Sequence, residues 1–490
     1  MTSVQIPASA YRTDDWQRGY ESLETEYHYP IQDIDGEIPA DLQGTLYRNG
    51  PGRLDINGQR FHHPFDGDGM VCAISFQDGG AVFRNRYVRT EGYVAESAAG
   101  KILYRGVFGT QKPGGWLANA FDLKFKNIAN TNVLHWGDRL FALWEGGLPH
   151  ELDPNTLETL GPSTLGKLLK PTDPWSAHPR IDPGEPGQAP RLVNFSIKSG
   201  LSSGVTVYEL NLAHDCLQQK TFTIPGFAFI HDFAITPNYY LFFQNPVVLN
   251  PLPFVFGFRG AGQCIEFKPQ KPTRIWVLPR HRSGSVQVFE TDPCFVFHHA
   301  NAHEIEGHLI VDSICYPSFP KVDPQEDYRQ IDFNRLPAGE LWRFKINLAQ
   351  RTVTHDTLVA RCCEFPTLHP HQMGRPYRFI FMGTAHEPSG NAPLQALLKL
   401  DLDNGTQTVW SAAPQGFIGE PIFVPHPQNT DEDAGWLLSL VYDAAQHRTD
   451  VVILDAQDLA KGPIARLHLT HPIPYGLHGC FKPQVFLRDS

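Results

Sequence analysis

LKLDLDNGTQTV (residues 398–409) alternates apolar and polar side chains, turns through Asp-Asn-Gly, and alternates again. This is hairpin chemistry: period-two patterning presents one face of each strand to a core, and Asp, Asn and Gly accept the backbone angles of a tight turn. The design recurs as WRFKINLAQRTV (342–353), YELNLAHDCLQQKT (208–221), AISFQDGGAVF (73–83), HELDPNTLET (150–159), IEFKPQKPTRIWV (265–277) and VILDAQDLAKGPIARL (452–467). Copies fall mostly 50 to 80 residues apart, room for four strands and their loops. A repeat of that length predicts an all-β fold, a seven-bladed β-propeller, with a two-sheet sandwich as the competing arrangement. Little of the chain shows helical periodicity, and 41 Pro with 42 Gly suit many turns and long loops. Residues 1–490 are accordingly expected to form a single propeller domain with an N-terminal extension and loop insertions.

Composition narrows the function. A formal net charge of −11 without a Lys/Arg cluster excludes nucleic acid as the main partner, because phosphate binding needs concentrated positive charge. The eight cysteines show neither C-x-x-C spacing nor a disulfide framework, which implies a reducing compartment. Residues 1–16 lack the apolar stretch of a signal peptide, so a cytoplasmic protein is expected. No formal charge occurs between Asp232 and Arg259, but Pro237, Pro246, Pro251 and Pro253 rule out a spanning helix there. With 32 Phe and 12% aromatic residues, the chain has enough flat apolar surface to wall a cavity for a long apolar ligand.

Propeller geometry sorts the 22 histidines. In each blade the first strand is innermost, and inner strands converge on the axis, so residues remote in sequence meet there. His178 precedes RLVNFSI, His231 opens HDFAITPNYYLFF, and His298 with His299 opens HHANAHEIEGHLIVDSI. They fall at inner-strand starts of blades three, four and five. The same count puts Thr131 on blade two, Glu364 on blade six and Glu420 on blade seven, and His478 reaches the axis as the ring closes.

The chain resembles the carotenoid cleavage oxygenase family. The resemblance is carried by DLQGTLYRNGPG (41–52), HPFDGDGM (63–70), YRGVFG (104–109), NIANTN (127–132), LWEGG (143–147) and SAHPR (176–180). It continues through PGFAFIHDFAIT (225–236), FVFHHANA (295–302), RCCEFP (361–366), GEPIFVP (419–425) and PYGLHG (474–479). It implies a propeller whose one face is covered by a dome of loops and helices, with iron on the axis held by His178, His231, His298 and His478. His298 is preferred to His299 because the family keeps the histidine directly after the phenylalanine. His303, where relatives usually carry an aromatic residue, is not promoted to a ligand. Glu145, Glu364 and Glu420 are expected to accept the far ring N–H of ligand histidines, and Thr131 to lie near the open coordination position.

Four neutral imidazoles suit Fe(II) and leave two positions free. The resemblance implies dioxygen-dependent scission of a conjugated double bond of an apolar polyene, giving two aldehydes of retinal type from apocarotenoids. The chain has no G-x-G-x-x-G, so a dinucleotide dehydrogenase is disfavoured. Phe65, Phe108, Trp144, Phe229, Phe297 and Phe365 are the expected tunnel walls. VVLNPLPFVFGFRGAG (247–262), with Leu249, Leu252, Phe254, Val255, Phe256 and Phe258, is expected to dock on a membrane surface rather than lie under the dome. Stilbene cleavage or isomerisation at the same iron, a metal-free scaffold, and a calcium-dependent hydrolase propeller are the alternatives; the last needs converging Asp, Asn and Glu ligands.

Overall fold

A computed structural model describes residues 10–321 and 326–486. Residues 1–9, on which part of the expectation about a signal peptide rests, lie outside the described residues.

Seven antiparallel sheets form the ring. Blade two runs Asn132–Trp136, Arg139–Leu143, His150–Leu152, Thr159–Pro162 from axis to rim; blade three runs Arg180–Asp182, Arg191–Lys198, Ser202–Leu210, Cys216–Pro225. Blades four, five and six follow the same order, beginning at Ala234–Ile235, Phe295–Ile305 and Cys363–Thr367. Blade seven has a split inner strand, Gly416–Ile418 and Ile422–Pro425, paired with Gly435–Asp443. Blade one takes its innermost strand from the C-terminus: Gly479–Lys482 pairs with Gly44–Arg53, Arg48 opposite Gly479. The N-terminal segment spans the seam, with Ile34–Gly36 on the rim of blade seven and His28–Pro30 on the rim of blade one.

Each of seven apolar clusters sits between two neighbouring blades. Side chains of a strand point alternately to opposite faces. In Tyr239–Gln244, Leu241 and Phe243 pack towards blade five, whereas Tyr240 and Phe242 pack towards blade three. Both faces of a blade are therefore core, which excludes the two-sheet sandwich.

Six of the seven sequence-predicted hairpins are formed. The seventh, 265–277, is not: Ile265–Phe267 pairs with Val247–Leu249 in a separate two-stranded ladder, and Thr273–Pro279 belongs to blade four, where its hairpin partner is Gln287–Thr291. The Lys-Pro-Gln-Lys-Pro turn supplied hairpin composition, but its flanking strands answer to different sheets.

Antiparallel order has a consequence for the dome. Inner strands all start at one end, so connections from blade to blade, and from second to third strand, also fall there. The long segments 88–131, 245–272 and 317–339 are such connections. They carry the Glu91–Ala99, Gly115–Asn119 and Leu252–Val255 helices and cover the end at which the inner strands begin.

Candidate metal centre

The inner strands are interrupted where they approach the axis. His178 and His231 lie just ahead of short strands starting at Arg180 and Ala234. The ladder of Phe295–Ile305 shifts register between Val296 and His299, so Phe297 and His298 occupy a bulge. A second shift follows Glu364, where Phe365 takes a left-handed φ of 56°. Glu420 fills the gap in blade seven's inner strand, and His478 precedes the closing strand. Bulges and breaks of this kind re-aim side chains that regular pairing would hold against the neighbouring blade.

The effect is convergence: one ligand atom from each of His178, His231, His298 and His478 lies within 4.8 Å of the others. Nδ1 of His231 meets Glu145 Oε2 at 2.7 Å, Nδ1 of His298 meets Glu364 Oε2 at 2.6 Å, and Nδ1 of His478 meets Glu420 Oε1 at 2.7 Å. A carboxylate accepts only from an N–H, so it fixes the proton on Nδ1 and turns the Nε2 lone pair to the centre. His178 Nε2 and His231 Nε2 stand 2.8 Å apart, near the ~3 Å expected for adjacent ligands each about 2.1 Å from one ion. Nε2 of His298 is buried without a hydrogen-bond partner. This donor set fits a metal ion.

Electrostatics differ among the rings. Burial, followed by the neighbouring imidazoles of His231, His478 and His298, holds His178 well below the ordinary histidine range, keeping it a neutral donor. Burial likewise lowers His478 despite Glu420. His298 goes the other way: burial opposes its charge, but Glu364 outweighs burial and raises it. Burial pushes the Glu364 and Glu420 carboxyls up, yet His298 with Tyr316, and His478 with Arg48, hold both below the usual range.

Several supporting residues were not anticipated. Tyr316 donates to Glu364 Oε1 at 2.6 Å. Arg48 pairs with Glu420, and its Nη2 donates to the Leu477 carbonyl at 2.8 Å. Arg180 pairs with Asp232, which also accepts the His299 amide at 2.8 Å, tying the histidine-bearing segments of blades three, four and five together. Asp232 was visible as the single charge in PGFAFIHDFAIT, and Arg48 and Arg180 lay within quoted motifs; Tyr316 gave no signal. Nδ1 of His299 contacts the Ser313 hydroxyl at 2.7 Å, and His303 lies by Tyr377, both outside the cluster. The Thr131 carbonyl accepts the His478 amide at 3.2 Å, and its hydroxyl donates to Asn130 at 3.2 Å.

A cavity of about 350 Å³ opens beside Glu364, Phe365 and Tyr316, with Phe65 on another wall and Trp16, Tyr20 and Phe333 closing it. Phe65 also lines a smaller space of about 50 Å³ with Phe108 and Phe297. Phe229 stacks on Phe295, one ring removed from Phe297. Trp144 lies elsewhere, on a void of about 10 Å³ beside Asp66, Glu96 and Lys126. Among the anticipated docking residues, Leu252, Phe256 and Phe258 are exposed, while Leu249, Phe254 and Val255 are half-buried.

Comparison with known proteins places this arrangement. Residues 20–483 match the family described as retinal pigment epithelial membrane protein. The chain is 56% identical to apocarotenoid-15,15′-oxygenase from Synechocystis sp., over 96% of each chain. It is 30% identical to isoeugenol monooxygenase from Pseudomonas nitroreducens, over 92% of this chain and 94% of that one. The crystal structure of cobalt-substituted Synechocystis ACO superimposes with a TM-score of 0.95, at 56% identity, covering 96% of this chain and 99% of that one. The chain belongs to the retinal pigment epithelial membrane protein family of carotenoid-cleaving oxygenases.

Proposed function

We propose that this protein is a non-haem Fe(II) dioxygenase that cleaves the 15,15′ double bond of apocarotenoids, dioxygen supplying one oxygen atom to each of two aldehydes, one of retinal type. The observation that carries this reading is the meeting of four imidazole nitrogens beside an aromatic-walled cavity, in a chain 56% identical to an apocarotenoid-15,15′-oxygenase. Fe(II), when bound, supplies the activation of dioxygen that a closed-shell polyene otherwise resists.

The residues have separate tasks. His178, His231, His298 and His478 hold the ion, and Glu145, Glu364 and Glu420 hold three of those rings in orientation. Thr131 sits against the His478 backbone and shapes the approach to an open position. Phe65, Phe108, Phe297 and Phe365 wall the substrate path, Phe229 backs Phe297, and apolar walls keep water from the reacting bond. The exposed side chains of Leu252, Phe256 and Phe258 give a lipid-borne substrate a place to enter through peripheral contact with a membrane.

Purified, Fe(II)-loaded protein is expected to bleach an apocarotenal in air and not under nitrogen, releasing two carbonyl products; His298→Ala abolishes both bleaching and stoichiometric iron binding. Iron bound without bleaching, with turnover of isoeugenol or a stilbene instead, moves the substrate to the phenolic class. Absence of iron binding by the unaltered protein returns the chain to a scaffold role.

A further inference from the structure

Arg48 is a costly residue to place where it is. Its side chain is 4% exposed, in the middle of the fully buried run 44–52, and its Nε is buried without a hydrogen-bond partner. Burying a guanidinium beside one carboxylate returns little stability, because the loss of hydration offsets most of the attraction. A residue retained on those terms needs another account.

The charges around the histidines supply one. Among the described residues, neither Glu145 nor Glu364 has a Lys or Arg within ion-pair distance; Glu420 alone does, and the partner is Arg48. Three carboxylates and one guanidinium leave two net negative charges around four neutral imidazoles. A divalent ion cancels them, and a trivalent ion leaves a surplus positive charge in a buried site. The contact is direct on both sides: Arg48 holds one oxygen of Glu420, whose other oxygen holds His478, and Arg48 also grips the Leu477 carbonyl next to that ligand.

We infer that Arg48 is a positioning residue that acts through Glu420 and His478 and sets the charge of this cage so that the ion is held divalent rather than trivalent. The inference rests on the metal reading above and goes beyond it, since the charge that Arg48 adds acts on top of whatever preference the neutral imidazoles have.

The test is a potentiometric titration of the iron-loaded protein, the electron coming from the electrode, with the ferric-to-ferrous ratio read spectroscopically. At a fixed potential Arg48→Gln is expected to raise that ratio about tenfold or more, the scale of one unit charge removed within roughly 10 Å at an effective dielectric near 20. Arg48→Lys, which keeps the charge, stays within about threefold of the parent, and Glu420→Gln moves the ratio the opposite way. The double variant Arg48→Gln, Glu420→Gln restores two net negative charges and is expected to return to the parental ratio. An unchanged ratio in Arg48→Gln, or a double variant displaced as far as that single one, overturns the inference. Should Arg48→Gln not fold, Glu420→Gln and the double variant both lack the buried carboxylate and differ only by the guanidinium; equal ratios there overturn it too. Failure of the unaltered protein to take up iron removes the metal reading and this inference together, whereas uptake with an Arg48-independent ratio removes the inference alone.

Discussion

His135 and His150, both in blade two, are buried, and neither ring is fully paired: His135 lacks partners at both nitrogens and His150 at Nδ1. Burial drives each down to about 4 from an ordinary 6.5. The direction of the resulting linkage follows from which state binds protons first. Below pH 6.5 the unfolded chain protonates these rings while the folded chain does not, so stability is complete above that pH and falls as pH drops towards 4. At pH 5 each ring accounts for about 2 kcal/mol of lost stability. Urea unfolding at pH 7 and pH 5 is expected to show a loss that His135→Phe reduces by about that amount, the new ring stacking between Tyr47 and Phe486. An acid loss of equal size in the variant disproves the assignment. Of the four converging histidines, His178 and His478 share this burial, but all four were singled out by other means. His298 was separable from His299 only through the family resemblance, because FHH offers two adjacent imidazoles with one composition. The register shift at 297–298 sends the first to the axis and leaves the second against Ser313. Arg48 and Tyr316 act across 372 and 48 residues of chain on carboxylates, and no local pattern encodes such a pairing.

Among the elements, the Leu252–Val255 helix and its surroundings depart most from ordinary surface. Leu252 and Phe258 are each 60% exposed, and a second segment doubles the patch: Leu117 and Phe121 are each 71% exposed, Trp116 packs on Phe258, and Phe121 packs on Phe256. The Phe121 amide donates to the Val255 carbonyl at 2.7 Å, locking the two segments into one surface. Leu252→Glu with Phe258→Glu is expected to cut sedimentation with phospholipid vesicles at least about fivefold while bleaching of detergent-solubilised substrate persists. Vesicle binding undiminished by those changes removes this surface as the docking site. Half of the patch was readable, because 247–262 is a long, largely apolar stretch; the 115–123 half is equally apolar but short and broken by Asn119 and Asp122, so it does not stand out. The hairpins show the same limit. Rim hairpins with solvent on their outer edges kept the period-two pattern and were found, whereas Tyr239–Gln244, buried on both faces, reads as a continuous apolar run without period.

Over the whole molecule, the ring holds because its ends meet. Closing a loop of more than 400 residues costs roughly 5 kcal/mol in chain entropy, which four cross-strand residue pairs and the packing of Phe481 and Phe486 offset. Removal of 479–486 is expected to broaden or abolish cooperative thermal unfolding; Gly479→Ala, whose added carbon meets the Tyr47 carbonyl at 2.1 Å, lowers stability by about 1–3 kcal/mol in urea titration. Unchanged unfolding of the truncated chain shows that closure lies elsewhere. The sequence by itself determined the all-β class and the sevenfold repeat, since hairpin patterning is local, and it singled out the candidate histidines and glutamates, since a motif keeps its residues wherever it is placed. Tertiary structure alone decided which strands share a sheet around 265–277, which carboxylate serves which imidazole, that Trp144 faces a small separate void rather than the main cavity, and that Trp16 and Tyr20 line that cavity. Each of those depends on distances between residues far apart in the chain, set by how seven sheets pack about one axis.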